Sequence, residues 1–402
     1  MKYVVILGDG MSDYPIPQLD CKTPLQFANK PNIDSLSRNS ENGFVKTVPD
    51  GIPPGSDTAN LSVLGYDPDK YYTGRSPLEA ISMGVDLSET DIALRCNLVT
   101  LSDEPEYNNK TMIDYSSDEI TSEEAAELIK TINMNLMTDS FKFYPGKFYR
   151  HCMIWKNGFT NLMLTPPHDI LERRISKYLP AGVYGEKLLE MMVKSNGFLE
   201  EHPVNVSRIQ RGLKPANSIW LWGEGKKPSL PRFSDKYGIK GSVVSAVDLV
   251  KGIGICAGLN SVDVEGATGN IDTNFKGKTE AALKELESGS DFVYVHIEAP
   301  DECGHRYEID KKVKSIELID EKIVGPILKG LEKYDDYKVL ILPDHATPLS
   351  LRTHTPEPVP YLLYQKSKRV NSGVTGYDEF QARKSGILIE NGYTLMDKFI
   401  AD

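Results

Sequence analysis

The chain of 402 residues has no apolar run close to the ~20 residues that a membrane helix needs. Its first apolar run, Val4 to Leu7, stops at Gly8 and is too short for a signal-peptide core. Basic blocks are missing as well, since the longest, such as Lys226-Lys227 and Lys311-Lys312, are pairs. With a net charge of −11 this argues against a nucleic-acid partner, whose phosphates are met by Lys and Arg. Cysteine is scarce: Cys21, Cys96, Cys152, Cys256 and Cys303 form no CxxC and are odd in number. That suits reduced thiols in a cytoplasm better than a disulfide framework. What remains is an ordinary composition, 40% hydrophobic and 26% charged, of a length that calls for more than one domain or a core with an insertion. A cytoplasmic protein without a nucleic-acid or membrane partner is expected, and a homo-oligomer stays open.

Three short apolar runs end abruptly in acidic residues: Val4 to Asp9, Phe292 to Asp301 and Val339 to Asp344. Continuous β-branched runs of this length read as strands buried on both faces, as in a parallel sheet. Ligands of open α/β sheets sit beyond the carboxyl ends of strands, so three carboxylates are aimed at one sheet edge. Ile219 to Gly225 and Ser242 to Val247 are further strand candidates. Helical spacing covers Thr58 to Leu64, Glu280 to Glu287 and a long stretch from Lys311 to Leu331. Between about Val85 and Asn205 the pattern changes to alternating strands and an amphipathic helix that Ser122 would cap. The expected organisation is an α/β core, residues 1–86 and 204–402, with a mostly parallel sheet between helices. Residues 87–203 form a smaller inserted α+β cap, hinged near Asp86 and Pro203.

Asp301 and His305 are four residues apart, and His354 follows the pair Asp344-His345 by nine. With Asp9 they make three carboxylates and three imidazoles, more than one tetrahedral ion needs. Such a mixed oxygen and nitrogen set suits two divalent ions of the Mn or Zn type. Each residue alone reads as a turn or surface residue. An adjacent Asp-His pair at the end of a buried strand, however, has no packing rationale. Cys303, between two of these candidates, reads as a small buried apolar residue instead of a ligand.

In Pro53 to Gly65, Gly55 permits a tight turn and Ser56 opens a helix. Read alone, Ser56 is a helix cap, since serine is favoured there. Free backbone N–H groups at a helix N-terminus also bind phosphate oxygens. A coordinated cation activates a hydroxyl by lowering its pKa. The ligand set therefore makes Ser56 a candidate nucleophile, with Asp57 or Asn60 to orient a phosphate.

The strings ILGDGMSD, PPGSDTANLSVLGYDP, GRSPLEA, FYPGKFYRH, TPPHDI, IWLWGEGKKPSLPRF, SAVDLVKGIG, HIEAPDECGH and LPDHATP, followed by His354, run nearly the whole chain. Together they resemble the archaeal-type cofactor-independent (2,3-bisphosphoglycerate-independent) phosphoglycerate mutases of the alkaline phosphatase superfamily. The resemblance implies an alkaline-phosphatase-like core and a split of the ligands. One ion would be held by Asp301, His305 and His354, the other by Asp9, Ser56, Asp344 and His345. It implies two divalent ions, manganese first, with zinc, magnesium or cobalt as alternatives, and neither nucleotide nor bisphosphoglycerate. The reaction implied is the interconversion of 3-phosphoglycerate and 2-phosphoglycerate in glycolysis and gluconeogenesis through a phosphoserine on Ser56. The cap would close over the intermediate, keep water away and contribute Arg150, His151, His168 and Asp169, with Arg208 at the hinge.

The chain departs from the family pattern twice; the first departure is harmless, and the second keeps the substrate open. Cys303 replaces a small residue, and Leu171-Glu172-Arg173-Arg174 follows TPPHDI where a Thr-Gly continuation is expected. A related metal-dependent phosphatase or phosphomutase, or the homoserine kinase branch of the same group, would use the same core. Gly252-Ile253-Gly254-Ile255-Cys256-Ala257 imitates a dinucleotide fingerprint but lacks a second mononucleotide half, and reads as a helix-end turn. Gly277-Lys278-Thr279 lacks the earlier glycine of a phosphate-binding loop, Asp272 standing in its place.

Overall fold

The computed structural model describes residues 1–401 and divides into two compact units, Met1–Tyr72 with Ser229–Asp402, and Thr73–Pro228. The first unit is built on eight strands. Across the sheet they run Leu388–Ile389, Glu41–Val45, Val359–Gln365, Tyr337–Leu342, Lys2–Gly8, Phe292–Ile297, Gly241–Val244 and Asn260–Val262. The last five are mutually parallel; Val359–Gln365 runs against them, and Glu41–Val45 and Leu388–Ile389 return to their direction. The three acid-ended runs are thus the three adjacent central strands. Leu7 lies level with both His296 and Leu342, which brings their carboxyl ends to one place.

These strands are buried throughout, as β-branched runs covered on both faces must be. Val4, Ile6, Val293, Val295, Val339 and Ile341 pack into one apolar core with Ile316, Ile319, Ile323 and Ile327. The long helical stretch that supplies those isoleucines is not continuous. Helix Ile309–Ile319 passes through one wide π turn, Asp320–Val324, into helix Gly325–Leu331. Gly325 and Pro326 follow the π turn, so the proline, which has no N–H to donate, falls where the helical ladder is already irregular. Gly252 and Gly254 lie inside helix Asp248–Cys256, not in a turn at its end. A Cβ on Gly254 would stand 2.5 Å from Val243, so that glycine serves close packing against the sheet.

The second unit, Thr73–Pro228, is wider at both ends than the expected 87–203. Its sheet is antiparallel, with Ile92–Leu101 between Arg150–Trp155 on one edge and Ser218–Lys226 on the other. A central strand needs both edges paired, so the segment carrying Ser218–Lys226 belongs here and not to the core. Helix Ser76–Ser82 joins it: Ser76 Oγ donates to the carbonyl of Gly223. Helices Ser122–Leu136 and Gly185–Leu199 turn Leu128, Ile129, Ile132, Leu188 and Met192 into its own core. The first helix is capped by Thr121, whose hydroxyl accepts from Glu124 N–H at 3.3 Å, and not by Ser122. Among the described residues no helix is long and apolar enough to cross a membrane.

Candidate active site

Gly8 ends the first strand, and the next two residues turn the chain so that Asp9 points inward. Gly10 has φ +62°, and a Cβ there would stand 2.5 Å from Thr347 Oγ1 and 2.8 Å from Asp301 Oδ1. Only glycine allows this approach. The run after Phe292–Ile297 turns into helix Ala299–His305, which places Asp301 and His305 one turn apart on one face.

The donors then converge. His305 Nε2 lies 3.2 Å from Asp301 Oδ2, and His354 Nε2 lies 3.4 Å from Asp301 Oδ1. The two imidazole nitrogens face each other at 2.9 Å. Beside them, His345 Nε2 lies 3.4 Å from Asp344 Oδ2 and 3.7 Å from Asp9 Oδ1. Asp301, His305 and His354 form one cluster able to hold an ion, and Asp9, Asp301 and His345 form another. Ser56 is the first residue of helix Ser56–Val63, with Gly55 in the cap position. Its hydroxyl does no capping; Oγ lies 3.1 Å from His345 Nε2.

The electrostatics fit a cation site. Burial pushes Asp9 well above the usual carboxylate range, and the neighbouring charges of Asp344 and Asp301 push it further. Burial would raise Asp301 too, but hydrogen bonds from His305 and His354 outweigh it and hold that carboxyl well below its ordinary value. The bond to Asp301 lifts His305 to about 9, whereas burial depresses His345. Three carboxylates packed this closely repel one another unless positive charge lies among them. Asp9 Oδ1 is buried without a hydrogen-bond partner, which marks an acceptor awaiting a ligand. The mixed carboxylate and imidazole set suits divalent cations.

Asn60 is fully committed: Nδ2 donates to Asp344 Oδ2 at 2.9 Å, and Oδ1 accepts from Tyr294 at 2.6 Å. Asp57 accepts from Tyr72 at 2.7 Å, so neither residue points an idle group at a phosphate. Cys303 is buried and free. Two site residues carry no signal in the spacing. Thr347 Oγ1 donates to Asp301 Oδ1 and lies 3.3 Å from His345 Nδ1. His296 Nε2 lies 3.0 Å from Asp9 Oδ2. Burial pushes this imidazole down to about 3, so it is neutral. Its place inside an apolar strand hides it, although an imidazole level with the last residues of the neighbouring strand is a usable clue.

In the inserted unit the expected substrate residues separate. Arg150, His168 and Asp169 are exposed, and Arg150 lies over the Tyr149 ring. Tyr149, Tyr115, His168 and Trp222 form a run of edge-to-face rings, with Arg95 over the last. His151 is the next strand residue after Arg150 and so points the other way, into the core. Its Nδ1 accepts from Gly146 N–H at 3.0 Å, and Nε2 has no partner. Arg208 is 1% exposed and engages each of its three guanidinium nitrogens internally, on Glu124 and on the carbonyls of Ser117 and Lys214. Neither can reach a ligand without leaving these places, which corrects the expectation that they contact substrate.

A mostly parallel sheet whose central strands bring carboxylates and imidazoles to one edge beside a helix-opening serine, with an antiparallel unit inserted, defines an α/β protein with an edge able to hold cations. Comparison with known proteins makes the class specific: the chain belongs to the 2,3-bisphosphoglycerate-independent phosphoglycerate mutase family. The family of that description matches residues 37–205. A Geobacter sulfurreducens protein named "Probable 2,3-bisphosphoglycerate-independent phosphoglycerate mutase" is 52% identical over 400 residues, covering 100% of both chains. A Methanothrix thermoacetophila protein named as that mutase is 49% identical over 402 residues, again covering 100% of both. The solved cofactor-independent phosphoglycerate mutase of Thermoplasma acidophilum is 27% identical, with a TM-score of 0.69, covering 100% of this chain and 99% of that one. A solved Pyrococcus horikoshii protein is 30% identical with a TM-score of 0.84, covering 99% and 96%.

Proposed function

We propose that the chain interconverts 3-phosphoglycerate and 2-phosphoglycerate without bisphosphoglycerate, an isomerisation within glycolysis and gluconeogenesis, by way of a phosphoserine on Ser56. The observation that supports this most is the Ser56 hydroxyl: it opens a helix, does no capping and lies against the His345 ring among the clustered carboxylates. Asp301, His305 and His354 would hold one divalent ion, and Asp9, Ser56, Asp344 and His345 the other. Two such ions, manganese first among manganese, zinc, magnesium and cobalt, would lower the pKa of the hydroxyl and neutralise charge on the transferred group.

In the first transfer Ser56 Oγ forms a bond to phosphorus as the bond to the substrate's 3-oxygen breaks. Glycerate stays bound and turns. Its 2-oxygen then takes the phosphoryl group back, and Ser56 is free again. Backbone N–H groups at the start of helix Ser56–Val63 are available to the phosphoryl oxygens. Asn60 and Gly10, hydrogen-bonded to the Asp344 carboxylate, keep that side chain in place. Exposed Arg150, His168 and Asp169 are the inserted unit's groups for the carboxylate and hydroxyls of glycerate. That unit would also keep water from the phosphoserine, since attack by water would make the enzyme a phosphatase. Five cysteines, none of them in a disulfide, support a reducing cytoplasm as the setting.

The test is to supply Mn²⁺ and 3-phosphoglycerate and follow 2-phosphoglycerate with no bisphosphoglycerate present. Product is expected. Release of inorganic phosphate in its place identifies a phosphatase, and ADP formed only with homoserine and ATP identifies a kinase; either result overturns the mutase reading.

A further inference from the structure

His296 is fully buried on the central strand next to Asp9, and it takes no part in the transfer described above. Asp9, His296 and Asp344 are close enough together to hold an ion, so the ring could itself be a ligand. An accounting of protons decides against that. Ser245 Oγ accepts from Val247 N–H at 3.0 Å and lies 3.2 Å from His296 Nδ1. The buried hydroxyl has one proton to place, and Nδ1 is the acceptor in reach. A ring nitrogen that accepts a hydrogen bond bears no proton, so with Nδ1 accepting, the proton of the ring is on Nε2. That N–H points at Asp9 Oδ2, 3.0 Å away. A nitrogen that bears a proton has no lone pair for a cation. The other oxygen of Asp9, Oδ1, is the buried one without a partner.

We infer that Ser245 and His296 form a positioning relay, in which Ser245 donates to His296 and His296 donates to Asp9 Oδ2, so that Oδ1 alone is presented to the divalent ion. The relay selects which carboxylate oxygen binds and stops the side chain from rotating to chelate with both. Lys278, buried beneath, donates to the His296 carbonyl at 3.1 Å and steadies the same strand end. The inference rests on the reading of this sheet edge as a two-cation site. Partners that orient a ligand from behind typically change metal affinity about 10- to 100-fold when removed.

The experiment titrates the full-length protein with Mn²⁺, reading free ion by electron paramagnetic resonance and nitrogen coordination by electron spin-echo modulation. Wild type is expected to bind two ions. His296→Leu should weaken one of them by about 10- to 100-fold and leave the other alone, with the nitrogen signal of the bound ions unchanged. His296→Gln, which can again donate to Oδ2, should recover most of that affinity. Ser245→Ala, which keeps the ring but frees its tautomer, should weaken the same ion less, and it carries the test if the leucine variant does not fold. Loss of a nitrogen coupling in both His296 variants, without rescue by glutamine, would make His296 a ligand and overturn the relay. Two-ion binding unaffected by any of the three changes would overturn it equally. Absence of Mn²⁺ binding in wild type would overturn the cation reading beneath it.

Discussion

The two sheets of this chain place their polar side chains by opposite rules. In the parallel sheet the three central strands are apolar save for Lys2, Lys338 and His296, and the carboxylates come after the last strand residue, where Asp9, Asp301 and Asp344 meet. In the antiparallel sheet polar residues such as Arg95, Asn97, Arg150 and His151 stand within the strands, and strand neighbours such as Arg150 and His151 go to opposite faces. The first arrangement concentrates charge at a point, as a reaction centre needs. The second spreads single charges and rings over a surface, which suits recognition of a small anion. The same residue type therefore means different things in the two units. A histidine just past a parallel strand is a ligand candidate, whereas a histidine within an antiparallel strand is as often core.

The largest expected effect tests the reaction centre. Ser56→Ala should lower kcat by at least about 10³-fold, as removal of a covalent nucleophile does, with the thermal midpoint little changed. A variant that keeps a tenth of the activity would move the nucleophile elsewhere.

Next comes the inserted unit's interior. Arg208→Ala leaves the Glu124 carboxylate short of its buried partner and should cost about 3 kcal/mol of stability, read as a lower urea midpoint. If KM rises instead while the midpoint holds, Arg208 faces substrate after all and the contrast drawn between the two units breaks at that residue.

Arg150→Ala should do the reverse. Losing one hydrogen bond to a charged group, about 1.5 kcal/mol, corresponds to roughly a tenfold rise in KM for phosphoglycerate, with stability unchanged. An unchanged KM would remove this face of the sheet from substrate binding.

The smallest effect, counted per pH unit, is a pH dependence. Burial holds His151 down to about 3, so between the ordinary histidine value and that point the unfolded chain binds a proton that the folded chain does not. Its contribution is complete above about pH 6.5 and is lost as pH falls toward 3. The slope is up to ~1.4 kcal/mol per pH unit. His151→Leu should flatten the acid limb of urea midpoints measured against pH. An equally steep limb in the variant would mean that the ring is open to solvent.

The contrast also explains what could be read in the sequence. Apolar runs that stop at an acid, as in Val339 to Asp344, announce both a buried parallel strand and a functional end, so the sheet edge and most of its donors were legible. His296 and Thr347 were not, because one sits within an apolar run and the other offers only a hydroxyl. Arg208 and His151 were assigned to substrate because strand register and helix face, which decide burial, leave little trace in residue type. The boundary at 87–203 missed Ser218–Lys226 for a related reason: its pairing partner, Ile92–Leu101, lies more than a hundred residues earlier, and nothing local records that contact.

The central claim is that phosphate passes through the Ser56 oxygen. Acid quenching of the Mn²⁺-loaded enzyme during turnover of phosphoglycerate, followed by proteolysis and peptide mass mapping, tests it directly. A phosphate on the peptide containing Ser56, absent without substrate and absent in Ser56→Ala, is the expected result. Turnover at full rate with phosphate on no peptide, or on a different side chain, would contradict it.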